Sequence, residues 1–146
     1  MSVAGSENQL VIFGIDEQRY AIRVSHVSEI IRMVNIEPLP GAPEWMSGVV
    51  NLRGQILPIV DLRNRMGKEP RDMTLTTPII ITRDHGQGRM GLVVDMVDDM
   101  AHLEQDDFEP GNGSGDLEGL AKIHGDIVMI LSLAEILPEA QGVLHA

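Results

Sequence analysis

The chain has 146 residues, 43% hydrophobic and 23% charged, which suits one soluble domain or two small lobes around a real core. Twenty-two Asp and Glu against 11 Lys and Arg give a formal net charge of −11, which opposes binding to nucleic-acid phosphates and to an anionic membrane surface. The absence of cysteine excludes disulfides, thiolate chemistry and Cys-ligated zinc, and no window approaches the ~20 apolar residues of a membrane span. Residues Met1 to Asn8 lack the basic flank and apolar stretch of a signal peptide, so the expected location is the cytoplasm.

In chain order, short apolar runs recur between Gly, Pro, Asp and Asn, the pattern of an all-β protein. Leu10 to Ile15 and Arg19 to Ile22 read as strands around a turn at Asp16-Glu17-Gln18. Val24, Val27, Ile30 and Ile31 have helical spacing and predict a short amphipathic helix starting near Ser25, with the chain extended again by Ile30 to Val34. Pro38, Pro40 and Pro43 with Gly41 predict a stiff loop, since proline fixes φ and lacks the N–H that regular structure needs. Gly48 to Leu52 and Gln55 to Val60 predict a hairpin turning at Arg53-Gly54. Asp61 is positioned to cap a short helix, Leu62 to Met66, ended by Gly67. Lys68 to Thr76 is a polar connector. Ile79 to Thr82 and Arg89 to Val94 predict another hairpin, Asp106 to Asp116 an acidic, Gly-rich loop, and Gly119 to His124 with Asp126 to Leu131 a last hairpin. Ser132 to Glu135 reads as a capping box opening a helix that stops at Pro138.

The sequence also aligns with itself. GVVNLRGQILPIVDLRNRM from Gly48 matches GLAKIHGDIVMILSLAEIL from Gly119, an offset of 119 − 48 = 71, with Gly48/Gly119, Gly54/Gly125, Ile56/Ile127, Ile59/Ile130 and Leu62/Leu133 identical. YAIRVSHVSEIIRM from Tyr20 matches MGLVVDMVDDMAHL from Met90, an offset of 90 − 20 = 70. Two collinear blocks with nearly equal offsets indicate internal duplication. The first repeat runs roughly over residues 10–67 and the second over 78–138, within one domain at 8–138 flanked by tails at 1–7 and 139–146. A unit of about 65 residues suits a small closed barrel, because closure removes exposed strand edges. The expected fold is therefore mainly β, with each repeat forming one barrel and a groove between the two. Ile56, Ile59 and Leu62 are expected in one core, and Ile127, Ile130 and Leu133 in the matching one.

From Ile36 the chain reads IEPLPGAPEWMSGVVNLRGQILPIVDL. With Pro38, Leu39-Pro40, Pro43, Met46, Gly48-Val49, Asn51-Leu52-Arg53-Gly54, Pro58 and Asp61-Leu62, this segment closely resembles the signature of the CheW family and of the regulatory domain at the C-terminal end of CheA kinases. The likeness covers roughly Asn8 to Pro138. It implies two SH3-like five-stranded barrels and a non-enzymatic adaptor that couples chemoreceptors to a CheA-type histidine kinase. The partners it implies are the kinase's CheW-like domain and the cytoplasmic helical tip of the receptor. Carried over by position, the implied partner-binding residues are Val27, Glu29, Gly48, Arg53, Ile56 and Gly91. Arg53, on a hairpin tip flanked by apolar residues, reads as a lone cation on a rigid rim. The alternative is a surface ion pair worth little. Lys122 makes the last hairpin more polar than is common in the family.

Catalytic and metal constellations are missing from the sequence, so no catalytic residue, metal or cofactor is expected. Asp61 could belong to an aspartic dyad built from two repeats, but its repeat mate is Ser132, and both are better read as helix caps. The five histidines are scattered, and the acids from Asp95 to Asp107 lack the spacing of a calcium loop. Two rivals remain. One is a CheW homologue wired to surface motility, development or second-messenger synthesis; the other is a small-ligand or enzymatic barrel.

Overall fold

The structure, a computed structural model, describes residues 8–32, 34–83, 88–111 and 117–133. The strands are short, rich in Val, Ile and Leu, and joined by turns wherever Gly, Asp or Asn interrupts them. They are β1 (Gln9–Ile15), β2 (Gln18–Arg23), β3 (Val27–Arg32), β4 (Met46–Leu52), β5 (Gln55–Asp61), β6 (Pro78–Thr82), β7 (Gly91–Val93), β8 (Met96–His102), β9 (Phe108–Pro110), β10 (Leu117–Ile123) and β11 (Asp126–Leu131). One helix, α1 (Leu62–Arg65), starts where expected: the Asp61 carboxylate accepts from the Arg63 N–H at 3.0 Å, and Gly67 at φ 74° follows its end.

Two compact units result. One joins the segment up to Val27 with the chain from Asp95, and the other runs from Ser28 to Val94. The first unit is a six-stranded sheet in the order β8-β1-β2-β11-β10-β9, and the second a five-stranded sheet in the order β3-β6-β7-β5-β4. Each hairpin is antiparallel, and each sheet contains a parallel joint: Ile130 opposite Ala21 in the first, Ile59 opposite Gly91 in the second.

The duplication is visible element by element. Shifting β4 and β5 by 71 residues lands on β10 and β11, and shifting β3 by 70 lands on β8. Both long hairpins carry a bulge at the matching glycine, between Met46 and Gly48 and between Leu117 and Gly119. Both cores use the same positions: Val50, Leu57 and Ile59 in one, Ala121, Val128 and Ile130 in the other.

A repeat, however, is not a unit. The first hairpin of each copy joins the remaining strands of the other, so β1-β2 sits with β8 to β11, and β6-β7 with β3 to β5. The expectation of one barrel per repeat is corrected accordingly. Both copies carry equivalent apolar strands, so the exchanged pairing buries the same faces.

Three local expectations also change. The helix near Ser25 is a single 3-10 turn, Val24–His26, after which β3 alternates inward Val27, Glu29 and Ile31 with outward Ser28, Ile30 and Arg32. The β-branched Val27, Ile30 and Ile31 pack better on a pleated strand than on a helix. The loop from Asp106 begins with a 3-10 turn and the short strand β9, which makes one sheet six-stranded instead of five. Ile56 is 60% exposed and Ile127 64% exposed, whereas Ile59 and Ile130 are fully buried, because the first two residues of β5 and β11 extend past the core at the hairpin tip. The helix expected after Ser132 and the turn at 84–87 lie outside the described residues.

Candidate partner-binding site

The β4–β5 hairpin gives the site its rigidity. Its turn places Arg53 at φ 51° and Gly54 at φ 85°, both left-handed, as a two-residue turn matching strand twist requires. Asn51 Oδ1 accepts from the Gly54 N–H at 2.9 Å and closes the loop. Glycine is at ease there, but arginine is held at a cost of order 1 kcal/mol.

That side chain is not a lone cation. Arg53 Nη1 donates to Glu29 Oε2 at 2.8 Å and Nη2 donates to Oε1 at 2.6 Å, a two-pronged pair that brings two of the sequence-predicted residues together. The Arg53 side chain stays 64% exposed, while Glu29, on the inward face of β3, is 27% exposed. Arg89 completes the cluster: its Nη1 donates to Gln55 Oε1 at 2.9 Å and its Nη2 to Glu29 Oε2 at 3.3 Å. The hydrogen bonds from Arg53, with the charges of both guanidiniums, hold the Glu29 carboxyl below the ordinary glutamate range, and Glu29 in turn raises Arg53.

A pH dependence follows. A carboxylate whose folded pKa lies below its unfolded value stabilises the fold above the unfolded value, and that contribution disappears as pH falls through the folded one. The stability gap between the parent and Glu29→Gln should therefore be present at neutral pH and vanish in acid. A carbon-detected NMR titration should place the Glu29 midpoint below that of a free glutamate, and Arg53→Ala should move it upward. An unshifted midpoint would contradict the pair.

The other predicted residues separate by exposure. Ile56, next to the tip, offers an exposed apolar surface. Val27 is 9% exposed and belongs chiefly to the core. Gly48 and Gly91 are buried, and each is glycine for a steric reason. A Cβ on Gly48 would lie 2.2 Å from the Glu37 carbonyl oxygen, because the proline loop bridges onto β4 there through Glu37 and Val49. A Cβ on Gly91 would meet Ile59 Cδ1 at 2.7 Å and Ile79 Cγ2 at 2.8 Å.

Sequence reasoning missed Arg89 and Gln55. The only available signal was the repeat: 89 − 19 = 70 sets Arg89 opposite Arg19, and 53 + 71 = 124 sets Arg53 opposite His124. In the other unit Arg19 pairs with Asp98, and beside them Asp99, Met100, His124 and Asp126 help line an open cavity of about 400 Å³. There the tip carries imidazole in place of guanidinium. Among the described residues no group of three or more His, Asp or Glu is arranged to hold a metal ion, and no helix is long and apolar enough to cross a membrane.

Comparison with known proteins agrees with this architecture. Residues 9–141 match the CheW-like domain model. The chain is 30% identical to a probable chemotaxis protein CheW of Rhizobium etli, over 97% of this chain and 94% of that protein. It is also 30% identical to the chemotaxis protein CheW of Rhizobium meliloti, over 91% of this chain and 89% of that one. The crystal structure of the scaffolding protein TtCheW from Thermoanaerobacter tengcongensis superposes with a TM-score of 0.80 at 30% identity, covering 87% of this chain and 90% of that one. With its signature hairpin, its two sheets and a match over nearly its whole length, the chain belongs to the CheW-like domain family.

Proposed function

We infer that this chain is a non-enzymatic chemotaxis scaffold that couples chemoreceptors to a CheA-type histidine kinase, with residues 8–138 working as one CheW-like domain in the cytoplasm. Its partners on this reading are the CheW-like regulatory domain of the kinase and the cytoplasmic helical tip of the receptor. The coupling is geometric, because a receptor can bias the kinase only through differential binding within the joint assembly. The observation that carries the reading is the rigid β4–β5 tip, which displays Arg53 and Ile56 together. An arginine with a neighbouring aliphatic surface on a stiff hairpin has the makings of an interface anchor. The proposed contact set is Val27, Glu29, Gly48, Arg53, Ile56 and Gly91, in which Glu29, Arg53 and Ile56 offer the side chains and Val27, Gly48 and Gly91 shape the strands beneath them.

Sedimentation of a receptor signalling fragment in oligomeric form tests this reading. A CheA-type kinase should co-sediment strongly only when the chain is added. Kinase recovery that is the same with and without the chain would reject the scaffold role.

A further inference from the structure

The interface described above leaves Arg89 unassigned. Its side chain is 20% exposed, so it cannot display its charge as Arg53 does. It instead ties two elements together, reaching Gln55 just after the turn, Glu29 on β3 and, at 3.5 Å, Ser28 Oγ. Glu29 Oε2 thereby receives two donors, Arg53 Nη1 and Arg89 Nη2, while Oε1 receives Arg53 Nη2. Two guanidiniums on one carboxylate fix its rotation, and a two-pronged pair requires that fixed plane.

We infer that Arg89 is a positioning residue for partner docking: it orients Glu29 so that Glu29 holds Arg53 extended at the tip in the pose that meets a partner. The inference rests on the proposed interface. A physical argument supports it. A long exposed arginine loses rotamer freedom when it docks, and a side chain already held extended loses less. The repeat adds a contrast. Both units place an arginine at this point, but Arg19 pairs with Asp98 beside an open cavity, whereas Arg89 reaches the carboxylate that also holds the tip arginine.

The test is a double-mutant cycle in the full chain, read as the concentration needed to assemble receptor fragment, chain and kinase, with a thermal melt of each variant. Arg89→Gln should lower Tm somewhat, because the side chain is mostly buried and bridges two elements, and in protein still folded at the assay temperature it should weaken assembly by about tenfold or somewhat less, because it acts through Arg53. In an Arg53→Ala background it should cause almost no further loss. Losses that multiply would show that Arg89 acts on its own and would overturn the inference. So would parent-like assembly by Arg89→Gln while Arg53→Ala is impaired. Parent-like assembly by Arg53→Ala would reject the interface itself, and the inference with it. If Arg89→Gln fails to fold, the same cycle with Arg89→Lys decides. Lysine keeps a charge on Glu29 without bridging to Gln55, and a smaller loss confined to the Arg53 background is expected.

Discussion

Gly48→Ala should destabilise the protein by about 3 kcal/mol or more, the largest stability loss expected from any single methyl group here. Gly48 has φ 148°, outside the range that side-chain-bearing residues normally adopt. The added Cβ would lie 2.2 Å from the Glu37 oxygen, 2.8 Å from the Glu37 carbonyl carbon and 2.9 Å from Ile36 Cγ2. The first two obstacles are backbone and cannot rotate away. Relief requires pulling the proline loop off β4, which breaks the reciprocal Glu37–Val49 hydrogen bonds of 2.8 and 2.9 Å. Gly54→Ala is the control: at φ 85° it is also strained, but a Cβ there meets nothing within 4 Å, so it should cost only about 1 kcal/mol. Urea unfolding of both variants measures the difference. Equal losses would mean that the loop yields freely and that the close approach does not constrain the fold. Because the loop is tied to the strand leading to Arg53, Gly48→Ala should also weaken partner binding, but only in proportion to its structural damage.

Arg53→Ala should have the opposite profile, with folding nearly intact and assembly impaired. Alanine at φ 51° carries a backbone cost similar to that of arginine, so the turn gains and loses little. The lost pair with Glu29 is exposed and screened by solvent, so it adds little to stability, and Glu29 keeps Arg89. A guanidinium that serves as an interface anchor, in contrast, should cost about 2 kcal/mol or more of binding, roughly thirtyfold. Arg53→Lys should recover only part of this, since an ammonium cannot reproduce the two-pronged geometry that Arg53 already shows with Glu29. Thermal melts and titrated assembly of the receptor, chain and kinase decide the matter. Full assembly by Arg53→Ala at parent concentrations would remove Arg53 from the interface.

The local features of this protein were legible in the sequence because each rests on residues close together in the chain. Proline and glycine mark the stiff loop and the turns, Asp61 caps its helix two residues away, and the in-and-out alternation of β4 follows from a period of two. Self-alignment at offsets of 70 and 71 revealed the duplication, and the matched bulges and cores follow it. Where two readings had similar local weight, tertiary packing chose: Val27, Ile30 and Ile31 fit helical spacing, yet β3 lies beside β6 and is extended. The exchange of first hairpins between copies left no local mark, since Ile59 can pair with Gly91 just as Ile130 pairs with Ala21 only once the whole sheet exists. The same holds for the cluster around Arg53. Its partner Glu29 is 24 residues away and Arg89 is 60 residues from Glu29, distances at which sequence carries no geometry, so only the folded sheet could turn an apparently lone cation into one of two guanidiniums on a shared carboxylate.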